Sequence, residues 1–322
     1  MYLIRVATSS NVGKGHVNRC IKIRNRLNYK VVWFVDKGTK KNLIRSIKDD
    51  IIEENSKVSF SKITKYAIDY NVKAIIVDTP EIKKLSKYKV YGKKPIIIFV
   101  DEYIKMKHVL SICMHPEKIE HKNFISGIEY LPIIKKNIIK NNNKKKNILV
   151  SFGNVDSKCI TEKVINALQE LITNGNLNDQ EYTINIVLGK YKKNVNAIKK
   201  MISSNKNFIL FENLFNLDSL YKKIDFAIGA PGFSQIERAE YIIPTILIAQ
   251  NNIQKKLLSG WKKSGCALVV ENMKELNNKI LSIIYSEELK QDIKTKMLKK
   301  FDGNGIYRIT EIIKTYVYNF KN

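Results

Sequence analysis

The sequence predicts two doubly wound α/β domains joined by one linker. Four short apolar runs in the first half are continuous rather than alternating, which is typical of parallel strands buried on both faces. Segments with apolar residues at helical spacing separate these runs, and the same alternation resumes after residue 147. Strands that alternate with helices favour an α/β fold. The chain of 322 residues is also long for a single core, which favours two domains.

The first-half strands are predicted at the runs YLIRVA, KVVWFVD, VKAIIVD and KPIIIFVD. Apolar residues between Val17 and Leu27 recur at helical spacing and predict a helix after the first strand. Leu43, Ile47 and Ile51 predict a second helix in the same way. The stretch HVLSICMHPEKIEH is predicted to be irregular, and its three histidines to be solvated or packed rather than metal ligands.

A linker is predicted at residues 135–146, KKNIIKNNNKKK, because this stretch is highly charged and has little periodicity. The predicted domains are residues 1–140 and 147–302, with a C-terminal helix over 303–322 that packs back toward the first domain. The second-half strands are predicted at NILVSFG, YTINIVLG, NFILFE, DFAIGA, PTILIA and CALVV. Two such halves leave a cleft, and ligands of these folds bind beyond the carboxyl ends of the strands.

The formal net charge of +27 raises the question of a nucleic-acid partner. The excess is almost entirely lysine, spread along the whole chain, and no nucleic-acid-binding motif accompanies it. No apolar run approaches the roughly 18 residues of a membrane span, no signal peptide is evident, and the four cysteines lack CxxC spacing. We therefore expect a cytoplasmic protein with no nucleic-acid partner, membrane span, metal or cofactor. The oligomeric state stays open and is compatible with a monomer.

The stretch TSSNVGKGHVNRC follows the first strand and carries the first candidate site. Gly13 and Gly15 permit close backbone approach, and the next helix turns its free N–H groups toward a ligand. His16 lies in the first turn of that helix, where the helix N-terminus favours a neutral imidazole that can accept a proton. The alternative is an ordinary strand-to-helix turn. The stretch fits neither a P-loop nor a dinucleotide fingerprint.

Two loops of the second half are suited to a nucleotide. In GAPGFSQIER, Ser234 and Glu237 fit the S-x-x-E capping box of a helix, and the loop amides are placed to face a diphosphate. The alternative is simply a well-capped helix. In SFGN, the residues Ser151, Gly153 and Asn154 follow a strand and suit either phosphate oxygens or a turn.

Further candidate residues are polar side chains that follow strands and arginines that remain in this lysine-rich chain. AQNNIQ supplies side-chain amides suited to sugar hydroxyls and N-acetyl groups, while Asp78 and Asp101 end apolar strands and reach the cleft or cap a turn. The chain has only seven arginines. Since Lys replaces Arg wherever a bare charge suffices, Arg19, Arg238 and Arg308 indicate positions that require a planar, multi-donor group.

Together these motifs resemble the GT-B-like sugar-nucleotide hydrolases of pseudaminic acid biosynthesis, relatives of the MurG-type glycosyltransferases. The resemblance rests on GKGHVNRC, ILVSFGNVD, DFAIGAPGFSQIERAEYIIPTILIAQNNIQ and FDGNGIYRI, and it covers nearly the whole chain. It implies a GT-B-like fold with two Rossmann-like domains facing a cleft. It also implies hydrolysis of UDP-2,4-diacetamido-2,4,6-trideoxy-β-L-altropyranose to the free sugar and UDP, without a metal.

The resemblance implies a role for each matching residue. His16 is the general base, Asn251 contacts the substrate, and Glu237 holds the ribose. The predicted sugar-site residues are Gly13, Gly15, Arg19, Asp78, Asn251 and Asn252. The predicted nucleotide-site residues are Ser151, Gly153, Asn154, Gly232, Phe233, Ser234 and Glu237.

Several elements differ from the family pattern, namely SFGN, GAPGFS, QNN, DTP and DE. A GT-B glycosyltransferase that delivers the sugar of a nucleoside-diphosphate sugar to an acceptor is therefore the alternative function. A catalytically silent protein that binds a sugar nucleotide is a third hypothesis, from another functional class.

Overall fold

Two compact units make up the chain in the computed structural model. The structure describes residues 1–8, 15–39, 49–54, 60–79, 94–100, 109–119, 121–136, 145–156, 158–190, 194–212, 214 and 216–320. Unit 1 comprises Met1–Pro132 and Gly303–Asn322, and unit 2 comprises Ile133–Asp302. The first division therefore falls before the predicted linker, of which residues 137–144 lie outside the described residues.

The elements follow the predicted alternation of strands and helices. The strands are β1 (Tyr2–Val6), β2 (Val31–Asp36), β3 (Asp50–Glu54), β4 (Ile75–Asp78), β5 (Ile96–Val100), β6 (Leu110–Cys113), β7 (Phe124–Ile125), β8 (Lys146–Ser151), β9 (Tyr182–Leu188), β10 (Phe208–Glu212), β11 (Phe226–Gly229), β12 (Thr245–Ile248) and β13 (Leu268–Val270). The α-helices are α1 (Gly15–Leu27), α2 (Phe60–Asp69), α3 (Ile160–Thr173), α4 (Val195–Ile202), α5 (Asp218–Tyr221), α6 (Phe233–Glu240), α7 (Asn252–Ser264), α8 (Leu276–Tyr285), α9 (Glu287–Lys300) and α10 (Gly305–Asn319).

Each unit is built on one parallel sheet. The strand order is β3-β2-β1-β4-β5-β6-β7 in unit 1 and β10-β9-β8-β11-β12-β13 in unit 2. The hydrogen-bonded pairs of these strands are all parallel. In both sheets the order reverses beside the first strand, at β1/β4 and at β8/β11, as in doubly wound folds. The predicted α/β fold class is confirmed.

Helices cover both faces of the unit 1 sheet, which explains why its strands are continuous apolar runs. Val17 and Ile23 of α1 and Ile309 of α10 pack with one set of strand residues. Ile63 and Ala67 of α2 pack with the residues of the opposite face. The strand β1 is accordingly buried along its whole length. The sheet of unit 2 is likewise packed on both faces.

Two sequence-based predictions of secondary structure are wrong. Ile51, predicted to share a helix with Leu43 and Ile47, lies in β3 and pairs with Trp33 of β2; residues 40–48 lie outside the described residues. A spacing of four residues is also a multiple of the strand period of two, so it does not separate the two structures. The stretch predicted to be irregular contains β6, whose successive residues Ile112 and Cys113 pack on opposite faces of the sheet.

The last helix, α10, packs on α1 within unit 1. The Arg308 Nη1 atom donates to the Glu129 carbonyl at 3.1 Å, and the Arg26 guanidinium lies 4.9 Å from the ring centroid of Tyr307. At the start of α10, Gly305 packs so closely on the Leu131 carbonyl that a Cβ atom there would overlap backbone. A residue without a side chain therefore lets the C-terminal segment return to unit 1.

Replacing Gly305 by Ala is expected to lower the free energy of unfolding by about 1–3 kcal/mol, because backbone must shift to admit the Cβ atom. Urea denaturation followed by circular dichroism measures this difference. The control is Thr315→Ala, an exposed position on the same helix, where we expect a change within about 0.5 kcal/mol. Equal stability of the two variants would show that the close approach at Gly305 is unimportant.

Candidate active site

His16 and Asp78 meet at the carboxyl edge of the unit 1 sheet, at the point where the strand order reverses. His16 is the second residue of α1, which follows β1, and Asp78 is the last residue of β4. Val6 of β1 is the register partner of Asp78, and the Ala7 amide donates to the Asp78 carbonyl at 3.0 Å. This is the location at which doubly wound folds bind their ligands.

The imidazole of His16 is held by the carboxylate of Asp78. Nδ1 of His16 lies 2.5 Å from Oδ1 of Asp78, whose side chain is fully buried, while the His16 side chain is 14% exposed. Nη2 of Arg19 also lies 3.1 Å from Nδ1, but it donates at 2.5 Å to the same carboxylate oxygen. Because a carboxylate only accepts hydrogen bonds, the shorter contact between Nδ1 and Asp78 places the proton on Nδ1. Nε2 is then the ring nitrogen that can accept a proton from a ligand. A base oriented by a buried carboxylate is the arrangement that general-base catalysis uses.

Arg19, one turn further along α1, completes the cluster. Its Nε and Nη2 atoms both donate to the Asp78 carboxylate, Nη2 at 2.5 Å, in a bidentate pair. Burial acts to raise the pKa of Asp78, but the charges of Arg19 and His16 and their hydrogen bonds outweigh it and lower that pKa to about 2. Asp78 is therefore ionised at neutral pH. Burial and the same carboxylate raise the pKa of the Cys20 thiol, so Cys20 is a packing residue rather than a nucleophile.

The low pKa of Asp78 predicts a loss of stability in acid. As the pH falls from about 5 to about 2, the unfolded chain takes up the Asp78 proton before the folded chain does, which removes about 2 kcal/mol of folding stability. Denaturation of the wild type and of Asp78→Asn at pH 6 and at pH 2 isolates this contribution. The stability advantage of the wild type is expected to shrink by about 2 kcal/mol. A difference that does not change with pH would contradict the assignment.

In unit 2, three neighbouring loops meet at the carboxyl edge of the sheet. Gly229 at the end of β11 packs against the Ser151 carbonyl at the end of β8, so that a Cβ atom would overlap it. The buried Gln250 amide, after β12, donates to the Phe152 carbonyl at 2.7 Å. Trp261 Nε1 of α7 donates to the Pro231 carbonyl at 3.1 Å. These bonds fix the loops after β8, β11 and β12 against one another.

Helix α6 begins in the loop after β11, but the predicted capping box at Ser234 is wrong. Gly232 is the N-cap, and Ser234 is already the second residue of the helix. Gly232 supplies the N-cap backbone conformation itself, which moves the start of the helix two residues earlier. Phe233, Ser234 and Glu237 are half-buried, and a Cβ atom on Gly232 would meet no atom within 4 Å. The backbone at the N-cap of α6 thus faces open space.

The residues predicted after β8 and β12 have mixed surroundings. Gly153 has a φ of 79° and space above it, and its carbonyl packs on Gly189 of the neighbouring loop. Asn251 is the N-cap of α7, where its Oδ1 accepts from the Gln254 amide at 2.9 Å. That oxygen is used within the helix, and the contact of Asn251 with a substrate stays a prediction. Asn252 is the first residue of α7, and both asparagines are exposed.

The structure brings part of the predicted sugar site together in unit 1. Gly15, His16, Arg19 and Asp78 are neighbours there, whereas Asn251 and Asn252 belong to unit 2. The predicted nucleotide residues all lie in unit 2. Gly13, Asp101 and Glu102 lie outside the described residues. In the described part of the chain, no helix is both long and apolar enough to cross a bilayer.

Sequence reasoning missed two buried aspartates near these sites. Asp156 accepts from the Ile160 and Thr161 amides, each at 2.9 Å, and so caps α3. Asp36, at the end of β2, pairs with Arg5 at 2.6 Å and accepts from the Thr8 amide at 2.7 Å, which fixes the first residues after β1. The sequence signal that could have identified them is an Asp that ends an apolar run, as Asp36 does, or that precedes a predicted helix, as Asp156 does.

The chain matches no protein-family model. It is 30% identical over 146 residues to an uncharacterized protein of Methanocaldococcus jannaschii. That match covers 44% of this chain and 29% of the relative, so the chain spans less than a third of the relative's length.

Solved structures resemble the chain over almost its full length. The glycosyltransferase of kitacinnamycin aligns with a TM-score of 0.72 at 10% identity, covering 98% of this chain and 99% of that one. The fold is that of the GT-B glycosyltransferases. Acinetobacter baumannii MurG aligns with a TM-score of 0.64 at 14% identity, covering 98% and 99% of the two chains. S. aureus MnaA in its co-structure with UDP aligns with a TM-score of 0.69 at 14% identity, covering 98% and 96%. The predicted GT-B-like architecture, with two Rossmann-like domains, is confirmed.

Proposed function

We propose that this chain is an enzyme that transfers the sugar of a nucleoside-diphosphate sugar to an acceptor hydroxyl. The observation that carries the proposal is the His16–Asp78 pair at the switch point of unit 1, with Asp78 held ionised by Arg19. The GT-B fold supports it, since solved structures with this fold include glycosyltransferases and a complex with UDP.

The proposed reaction moves one proton and one glycosyl group. Nε2 of His16 takes the proton of the acceptor hydroxyl, whose oxygen forms a bond to the anomeric carbon. The bond between that carbon and the diphosphate oxygen breaks, and its electron pair leaves with the nucleoside diphosphate. Asp78 keeps the Nδ1 proton in place and stabilises the imidazolium that forms. A nucleoside diphosphate is a good leaving group. The protein therefore needs only to position the acceptor, accept its proton and stabilise the charge that develops on the diphosphate.

The proposed nucleotide site is the loop edge of unit 2. The first-turn amides of α6, at Phe233 and Ser234, and the positive end of the helix dipole are suited to the diphosphate. Glu237, on the same helix, is suited to accept hydrogen bonds from ribose hydroxyls. The loop after β8, with Ser151, Gly153 and Asn154, lies next to it in the sheet order and completes the proposed site.

Hydrolysis is the second candidate, and the motif resemblance at the sequence level favours it. Water then replaces the acceptor, His16 keeps the same role, and the proposed substrate is UDP-2,4-diacetamido-2,4,6-trideoxy-β-L-altropyranose. For both candidates, the identity of the sugar, the identity of the acceptor and the cytoplasmic location are proposals.

Nucleotide release distinguishes the candidates. The full chain is incubated with UDP-, TDP- and GDP-sugars, with and without a panel of acceptor glycosides, and followed by phosphorus NMR and mass spectrometry. Transfer predicts release that requires an acceptor and yields a new glycoside. Hydrolysis predicts release of nucleotide and free sugar in water alone. Binding of UDP without release in any mixture would contradict both and support a binding protein.

A further inference from the structure

Arg238 is a fully buried arginine beneath the loop that precedes α6. Arg238 is the sixth residue of α6, and its side chain extends back toward the start of that helix. There its Nη2 atom donates to the Ala230 carbonyl at 2.7 Å. Nε donates to Oε1 of Gln235 at 3.0 Å. Gly229 makes room for the guanidinium, since a Cβ atom there would lie 2.8 Å from Nη1.

The charge of Arg238 is not balanced by a hydrogen-bonded carboxylate among the described residues. Its two acceptors are neutral, and Nη1 of Arg238 and Nε2 of the fully buried Gln235 have no hydrogen-bond partner in the described part of the chain. Burial lowers the pKa of Arg238 to about 10, while Tyr221 and Glu237 act in the opposite direction. A buried charge left in this state is unfavourable.

Three other buried or half-buried arginines differ from Arg238. Arg5 pairs with Asp36 at 2.6 Å, Arg19 pairs with Asp78, and Arg24 pairs with Asp49 at 2.7 Å. In each case an aspartate accepts directly from the guanidinium. The fold therefore supplies a carboxylate to these cations and places Arg238 against neutral acceptors instead.

The position of Arg238 adds a second unfavourable interaction. A helix N-terminus carries partial positive charge and free N–H groups, so a cation beside the first turn of α6 is repelled. An anion bound above Gly232 and Phe233 would be attracted by both the helix end and the guanidinium. The space over Gly232 leaves room for such a ligand.

We infer that Arg238 is the positioning residue of an anion site at the start of α6, with Gln235 holding its guanidinium. It fixes the Ala230 carbonyl away from the ligand and adds positive charge behind the loop amides that face it. The inference rests on the proposed function, because the anion it commits to is the diphosphate of the nucleoside diphosphate.

The test compares the affinities of UDP and of uridine for three variants of the full chain. Arg238→Met removes the charge and keeps the bulk, Arg238→Lys keeps the charge, and Lys290→Met removes another buried cation of unit 2, on α9. Titration calorimetry measures UDP, and ligand-observed NMR measures the weaker uridine. We expect Arg238→Met to weaken the binding of UDP about tenfold, as loss of a charge-assisted interaction does, and to leave the affinity for uridine unchanged. Arg238→Lys restores most of the UDP affinity, and Lys290→Met matches the wild type.

Three outcomes overturn the inference in different ways. Equal UDP affinity of Arg238→Met and the wild type overturns the role of Arg238 and leaves the proposed function standing. Parallel loss of UDP and uridine, without rescue by Arg238→Lys, shows a purely structural role. Failure of the wild type to bind UDP, TDP or GDP overturns the proposed function together with the inference. Arg238→Gln, which keeps a donor for Ala230, replaces Arg238→Met if that variant does not fold.

Discussion

Replacing His16 by Ala is expected to lower kcat for turnover of a nucleoside-diphosphate sugar by about 10²–10⁴-fold, the range that general-base catalysis contributes. The variant loses the nitrogen that takes the proton of the attacking hydroxyl or water. The affinity for UDP is expected to match that of the wild type, because the proposed nucleotide site lies on other elements. Steady-state kinetics on the best substrate and calorimetry with UDP make the two measurements.

His121→Ala is the matched control for this prediction. His121 belongs to the same unit but is exposed, and it pairs with Phe124 of the edge strand β7, which β5 and β6 separate from β4. The control is expected to retain wild-type kcat. If His16→Ala retained it as well, another group would have to accept the proton, and the role of His16 would be lost.

Arg19→Met is expected to have the largest effect on stability, a loss of about 3–5 kcal/mol in the free energy of unfolding. The substitution leaves the fully buried Asp78 carboxylate without its bidentate partner. Breaking a buried ion pair by removing one partner is costly because the other charge stays buried. Urea denaturation at pH 7 measures the difference.

Arg24→Met is the matched control, because Arg24 lies on the same helix and also pairs with a buried aspartate. Asp49 keeps the Trp33 indole at 2.9 Å and the Val31 amide at 3.2 Å as donors after the substitution. A smaller loss is therefore expected, about 1–3 kcal/mol. A loss for Arg19→Met no greater than that for Arg24→Met would show that Asp78 does not depend on Arg19.

The sequence was sufficient to predict the fold because buried parallel strands are continuous apolar runs that need no tertiary information to recognise. Strand β3 was not predicted because it is half-exposed at the edge of its sheet, and because Ile51 fits a helical spacing as well as a strand. β6 is only four residues long and lies among histidines and charges. The edge position explains why β3 was missed, and the short length and polar flanks explain why β6 was missed.

The site could be predicted in part. His16, Arg19 and Asp78 were each proposed from local patterns, but their mutual contact depends on β4 lying beside β1, which only the strand order supplies. The start of α6 was misplaced because Gly232 caps the helix without a side chain. The unbalanced charge of Arg238 could not be predicted from the sequence. The adjacent Glu237 suggests a partner for it, but the fold does not place the two side chains in hydrogen-bond contact.

The most direct test of the His16–Asp78 pair is kcat of the double variant His16→Ala/Asp78→Asn, compared with the two single variants. Residues that act as a unit have non-additive effects on the rate. If Asp78 serves to orient His16 and to stabilise its imidazolium, the double variant is expected to turn over at the rate of His16→Ala alone. Multiplication of the two single losses in the double variant would contradict the proposed pair.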